Sequence, residues 1–283
     1  MIHKIISLIN YYTGKYLTLK KQENKEKIDQ QWKNYFLNDN KFIFKLRHNI
    51  SIYLYNDSVL ARLIYEGFEK NEIDYIEKNL NNGDIFVDIG ANIGLFSLIA
   101  SQLVGEKGKV ISFEPSPITF NRLQENINLN NFSNIEIVNK GISDNVGNLS
   151  INLYEEGFDA WNSFAPPSTN FNKPSKKIDV EVNTLDSELK SIDKNKIKII
   201  KIDVEGWEKF VLLGAEDILT NYSPIIMMEF TESNTFPAGY MVQDLYDILV
   251  AKGYIWHEIN NGELHPSPKR LHYPYNNLIA IKP

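Results

Sequence analysis

The chain has 283 residues, is 43% hydrophobic, carries a formal net charge of −6 at pH 7 and contains no cysteine. That length and apolar share suffice for one large α/β domain or two small ones, and the acidic balance argues against a nucleic-acid partner held by its phosphates. The absence of cysteine excludes disulfides, thiolate metal sites and a cysteine nucleophile.

Residues 1–17 are apolar in part, but polar and charged side chains interrupt them too soon for a membrane span or a signal-peptide core, so a cytoplasmic protein is the default expectation. Ile2, Ile5, Ile6 and Ile9 share one helical face, which suits docking on the domain or on a second subunit of a homodimer; interfacial membrane contact is the alternative. The first 50 residues are polar and helical in tendency, with residues 20–27 a solvated face or loop. The expected organisation is a helical N-terminal extension over 1–50, acting as a cap, and a single domain over 51–283.

Beyond residue 50, apolar strands alternate with amphipathic stretches, the pattern of stacked βαβ units. A helix over 69–80 stops at Asn81-Asn82-Gly83, and a first strand follows over 85–89. Leu95, Leu98, Ile99 and Leu103 have helical spacing, Gly105 to Gly108 close that helix, and 109–114 is the second strand. Pro117 opens the next helix, with Phe120, Leu123 and Ile127 inward, and 135–138 is the third strand. Extended runs at 149–154 and 178–183 flank a loop that holds Trp161, Asn162, Ser163, Pro166 and Pro167. Runs at 197–202 and 224–230 read as central strands buried on both faces. The tail supplies a helix over 241–252, a strand over 254–259, a turn at Asn260-Asn261-Gly262 and a last strand over 277–281, an ending that reads as an antiparallel hairpin. The predicted fold is therefore α/β: a Rossmann-like, doubly wound, mostly parallel sheet with a C-terminal antiparallel hairpin.

The first strand ends in Asp88-Ile89-Gly90-Ala91-Asn92-Ile93-Gly94 and runs straight into a helix. Open α/β sheets bind ligands at this edge, where glycines let the backbone approach a ligand and free N–H groups at the helix start can hold a carboxylate. A dinucleotide site wants G-x-G-x-x-G, with its second glycine making room for a pyrophosphate; Asn92 stands in that place. The spacing D-x-G-x-x-x-G suits a nucleoside ligand without phosphates and with a cationic amino-acid end, such as S-adenosylmethionine. The plainer alternative is that Gly90 and Gly94 only permit a tight turn.

Glu114 ends the second strand, where an acidic side chain can accept both hydroxyl protons of a ribose, although a charge at the start of the helix after Pro115 explains it as well. Gly141-Ile142-Ser143-Asp144 supplies a turn suited to an adenine edge, or an ordinary surface turn. Asp203, after the fourth strand, can hold the cofactor's ammonium, take a proton from a substrate hydroxyl, or N-cap the helix that begins near Glu205; Glu229 is a second candidate base.

Several blocks together resemble the FkbM family of methyltransferases: residues 84–130 with GANIG, FEP and the stretch 126–130, then Thr184-Leu185-Asp186 and Lys201-Ile202-Asp203-Val204-Glu205-Gly206. The resemblance covers roughly residues 65–230. It implies a class I methyltransferase fold, S-adenosylmethionine as cofactor, and methylation of a hydroxyl oxygen on a sugar, glycan or related natural product. It also implies cofactor contacts at Asp88, Gly90, Ala91, Asn92 and Gly94, ribose binding by Glu114 with Pro115 beside it, and a cofactor-facing segment at Tyr65-Glu66. The first 50 residues and the tail beyond Glu232 match no block.

A sulfonium methyl donor is already activated, so the protein's task is alignment and the exclusion of water, with a base to take the proton of an aliphatic hydroxyl. Asp203 is the first choice for that base and Glu229 the second. Trp161, Asn162 and Ser163 are candidates to stack on and hydrogen-bond a sugar ring; a surface loop with one aromatic tucked inward is the alternative. The five histidines form no paired metal-ligand spacing, and no metal is expected, with Asp203 and Glu229 the one acidic pair weighed for it. Two other classes compete: a nucleotide-dependent oxidoreductase, disfavoured by Asn92, and an idle binding or scaffold protein, disfavoured by Asp88, Glu114 and Asp203 standing together at one sheet edge.

Overall fold

The computed structural model describes residues 22, 25–154, 157–167, 176–260 and 262–283. The apolar face at Ile2, Ile5, Ile6 and Ile9 lies outside the described residues. Residues 25–35 form helix α1. The expected helical tendency does not continue to residue 50, because β1 (Lys41–Lys45) pairs antiparallel with β2 (Ser51–Tyr55). The reason is period-two patterning: Ile52 and Leu54 point inward from β2, and Phe42 of β1 packs edge-on to Trp32 of α1 with ring centroids 5.8 Å apart.

Next come α2 (Val59–Glu66), whose first turn is capped by the Ser58 hydroxyl, and α3 (Lys70–Asn79). The central sheet then builds outward through β3 (Ile85–Ile89), α4 (Leu95–Val104), β4 (Lys109–Phe113), α5 (Pro117–Asn130) and β5 (Ile135–Val138). The chain leaves this sheet for a small one made of β6 (Gly141–Ile142), β7 (Gly147–Leu153) and β8 (Lys176–Asn183), in the order β6-β8-β7. The extended runs predicted at 149–154 and 178–183 are the partners β7 and β8, paired antiparallel. After α6 (Leu185–Glu188) the chain returns to the main sheet as β9 (Ile197–Ile202), α7 (Glu208–Leu213), α8 (Glu216–Asn221) and β10 (Ile225–Phe230). It ends with α9 (Glu232–Thr235), α10 (Val242–Ala251), β11 (Ile255–Asn260), β12 (Glu263–Pro266) and β13 (Asn276–Ile281).

The main sheet has the order β12-β11-β13-β10-β9-β3-β4-β5. Strands β3, β4, β5, β9 and β10 are parallel, while β13 runs antiparallel between β10 and β11. The Gly262 turn joins β11 to β12, which forms the outer edge, so the antiparallel ending has three strands. Phe86, Val110, Ile199, Met227 and Ile279 bury one face against α3 and α4; Val87, Ile111, Ile200, Met228 and Leu278 bury the other against α7, α8 and α10. Strand order reverses at β3, which has β4 on one side and β9 on the other. Such a switch point opens a crevice at the carboxyl ends of the strands, and that crevice is the site described next. Among the described residues no helix is long and apolar enough to cross a membrane.

Candidate functional site

At the end of β3, Gly90 adopts φ +82°, and a Cβ there would lie 1.9 Å from the Asp203 carbonyl oxygen, so only glycine lets the two strand ends close up. Asn92 follows in the left-handed region, with φ +48°. Its N–H donates to Glu114 Oε2 at 2.9 Å, while its own Oδ1 is shielded from solvent and has no partner. Glu114 Oε1 accepts from the Ser116 N–H at 2.9 Å and from the Thr119 hydroxyl at 2.7 Å. Burial pushes the Glu114 carboxyl up to about 7 against these three donors, which favour the anion. Glu114 ties down the first turn of α5 and stands in the wall of a narrow slot with Gly90, Asn92, Pro115 and Ile142.

The slot opens into a wider cleft of about 390 Å³. Gly90, Asn92, Ala160, Asp203 and Glu205 line both. The far wall of the cleft carries Glu69, Glu229, Asn234 and Tyr275, and one side is the apolar flank of α2 at Leu60 and Leu63. Lys201 Nζ lies 2.9 Å from Asp203 Oδ2. Glu205, itself at φ +54°, accepts from Asn234 Nδ2 at 2.7 Å, and Glu229 Oε1 accepts from the Thr231 hydroxyl at 2.7 Å. Burial, and then the neighbouring carboxylates, hold both Glu205 and Glu229 well above the usual carboxylate range. Burial likewise pushes Glu69 up to about 7. Asp203 does not cap the following helix. The helix starts at Glu208 with no side-chain cap; Glu208 Oε1 instead ties down the turn ahead of it, accepting from the N–H groups of Val204 at 3.2 Å and Gly206 at 3.1 Å, and Asp203 lines the cleft.

Several residues expected at the cofactor lie elsewhere. Asp88 is 1% exposed and faces the α4 side of β3, accepting from the Ser97 hydroxyl at 2.6 Å, because alternation along the strand turns it into the protein. Tyr65 and Glu66 sit on the flank of α2 away from the cleft: Tyr65 packs beside Trp32 with ring centroids 5.3 Å apart, and Glu66 pairs with Arg62 at 2.5 Å. The helical period places Leu60 and Leu63 on the cleft in their stead. Gly94 is required by packing, since a Cβ would stand 2.6 Å from Leu123 Cδ1, and Ala91 is buried with its N–H on the Phe113 carbonyl at 3.0 Å. Ser143 lies behind Ile142, where its hydroxyl accepts from Trp207 Nε1 at 3.2 Å.

The loop residues divide. Trp161 lines the wide cleft. Asn162 and Ser163 border the slot instead and tie the loop down, Asn162 Oδ1 accepting from Tyr154 N–H at 3.0 Å and Ser163 Oγ donating to the Glu205 carbonyl at 2.6 Å. Neither His257, His265 nor His272 lines either space. Carboxylate oxygens of Asp203, Glu205 and Glu229 lie within 4.8 Å of one another, a spacing that a divalent cation could bridge. Sequence reasoning passed over Lys201, Glu69, Glu205, Asn234 and Tyr275. Lys201 and Glu205 left a signal as members of the block that resembles the family, and Lys201 stands with Lys198 as one of two charges in an otherwise apolar central strand.

Residues 88–256 match the family model described as the methyltransferase FkbM domain. A relative from Sordaria araneosa, methyltransferase sdnD, is 28% identical over 193 residues, covering 55% of this chain and 74% of the relative. The hexuronic acid methyltransferase AglP of Haloferax volcanii is 30% identical over 159 residues, covering 56% of this chain and 61% of that protein. A crystal structure of methyltransferase FkbM from Methylobacillus flagellatus KT aligns with 78% of this chain and 54% of that one, at 18% identity and a TM-score of 0.44. The family model spans well over half of the sequence and runs from the glycine turn through the acidic cleft into the antiparallel ending: the chain belongs to the FkbM family of methyltransferases.

Proposed function

We propose that the protein transfers a methyl group from S-adenosylmethionine to a hydroxyl oxygen of a sugar, glycan or related natural product. The observation that carries this reading is the continuity of slot and cleft, which share Gly90, Asn92 and Asp203 at the sheet's switch point. A nucleoside in the slot would thus present its far end at the cleft's wall. The residues fit such a cofactor. Gly90 lets the ends of β3 and β9 close up beside the slot, Glu114 offers a carboxylate to a ribose, and the shielded Oδ1 of Asn92 is free to take a donor.

When bound, the cofactor supplies a methyl on a cationic sulfur, already reactive toward an oxygen nucleophile. The chain's own residues orient and deprotonate. Asp203, with Oδ2 taken by Lys201, is suited to hold the cofactor's ammonium rather than to collect a proton. Glu229 is 9% exposed and lines the cleft, and burial strengthens its hold on a proton, so its carboxylate, when ionised, is suited to take the proton of a hydroxyl. Trp161 offers an aromatic face for the C–H side of a sugar ring. The hexuronic acid methyltransferase among the relatives supports a carbohydrate acceptor.

The test is incubation with methyl-labelled S-adenosylmethionine and a panel of neutral, amino and acidic sugars, free and as glycosides. Label in a methyl ether of a sugar supports the reading. Label confined to nitrogen or to a carboxylate ester, with hydroxyl-only acceptors inert, would overturn it.

A further inference from the structure

Lys201 is a buried cation for which the chemistry above has no direct use. It sits on β9, 6% exposed, with Nζ 2.9 Å from Asp203 Oδ2 and 4.7 Å from the centroid of the Phe96 ring on α4. The groups facing it come from every neighbouring element. Glu69 and Glu72 stand at the start of α3, Asp88 is on the adjacent β3, Asp203 and Glu205 follow β9 and Glu229 is on β10. Glu69, Glu72, Lys201, Asp203, Glu229 and Asn277 line one small hollow under the cleft floor. Folding stability is a poor reason to keep a lysine there, because burying an ammonium is costly and an apolar side chain of similar volume commonly serves as well.

We propose that Lys201 is the positioning residue for the cofactor end of the cleft, holding Asp203 by Oδ2 so that Oδ1 meets the cofactor's ammonium in one orientation. The inference rests on the S-adenosylmethionine reading of the slot. Geometry supports it: Asp203 lines both slot and cleft, its side chain is 29% exposed, and Lys201 is its hydrogen-bond partner from below. Lys201 has a second effect through its charge. It opposes the burial that raises the carboxyls of Glu69, Asp88 and Glu205.

The experiment is calorimetric titration of S-adenosylhomocysteine into the full chain between about pH 5.5 and 8.5. The proteins are wild type, Lys201→Met, Lys201→Arg, Asp203→Asn, and Asp203→Asn combined with each lysine variant. Lys201→Met is expected to weaken binding about tenfold or more, as losing the outer partner of a binding group does. Lys201→Arg recovers most of the affinity, and the losses from Lys201→Met and Asp203→Asn do not add. Wild-type affinity in a folded Lys201→Met protein would overturn the proposal, as would an arginine variant no better than methionine. Should Lys201→Met fail to fold, Lys201→Gln replaces it in the cycle with Asp203→Asn: non-additive losses support the coupling and additive ones refute it. Absence of binding to folded wild type refutes the cofactor reading itself, an outcome distinct from insensitive variants.

Discussion

Replacing Glu114 with glutamine keeps the side chain's volume and removes its charge and one acceptor oxygen. Oε1 serves Ser116 and Thr119 and Oε2 serves Asn92, so an amide must turn its NH2 toward one set of donors. With its oxygen kept on the Ser116 and Thr119 side, the Asn92 N–H faces another donor, a buried mismatch costing about 1–3 kcal/mol of stability. Each ribose hydroxyl that loses a charged acceptor forfeits a further ~1.5–3 kcal/mol, about 10- to 150-fold in affinity. Titration adds a second signature. Burial raises this carboxyl from an ordinary 4.5 to about 7. Between those values the folded chain keeps the proton and the unfolded chain has lost it, so this group's contribution to stability falls as pH rises through the window. Cofactor binding runs the opposite way, since hydroxyl donors need the carboxylate. With the folded value near 7, going from pH 7.5 to 5.5 reduces the ionised fraction about 25-fold. Calorimetric titration of S-adenosylhomocysteine at both pH values should show that loss in wild type and its Glu114 share abolished in Glu114→Gln. A glutamine variant that binds as tightly as wild type would refute the assignment of Glu114 to the ribose.

Three further outcomes follow from the geometry. Gly90→Ala forces a side chain into a left-handed position 1.9 Å from the Asp203 carbonyl and should cost about 3 kcal/mol or more, read as a lowered Tm together with lost S-adenosylhomocysteine binding. Glu229→Gln removes the proton acceptor but not the slot, so kcat for methyl transfer should drop by about 10²- to 10⁴-fold while S-adenosylhomocysteine affinity is unchanged; an equal fall in both would move Glu229 from chemistry to binding. Asp88→Ala removes the carboxylate acceptor of the Ser97 hydroxyl in the core, leaving Ser112 Oγ beside it, and should lower stability by about 1–3 kcal/mol in a thermal melt, with cofactor affinity intact. Lost affinity without lost stability would return Asp88 to the cofactor site.

Much of the frame was legible because its signals are local. The apolar runs at 85–89, 197–202 and 225–230 are strands, and the spacing of Leu95, Leu98 and Ile99 is a helix. Even at this level neighbours intervene. Phe42 and Phe44 were absorbed into a helical expectation, but β1 forms because β2 and Trp32 give those rings a surface to cover. The two extended runs around the Trp161 loop were recognised as strands, yet nothing local says that they leave the main sheet to pair with each other.

By itself the sequence determined the doubly wound α/β architecture, the glycine turn and the acidic residues at successive strand ends, since hydrophobic period and glycine placement act over a few residues of backbone. Side-chain direction and charge balance were decided only in three dimensions. Asp88 and Asp203 both end a strand, but alternation sends the first into the core, while a lysine two residues upstream holds the second at the cleft. Tyr65 and Glu66 differ from Leu60 and Leu63 only in which flank of α2 they occupy. The meeting of Glu69, Lys201 and Glu229 joins segments far apart in the chain, and their protonation depends on burial and mutual distance, quantities that exist only once the sheet and α3 have packed.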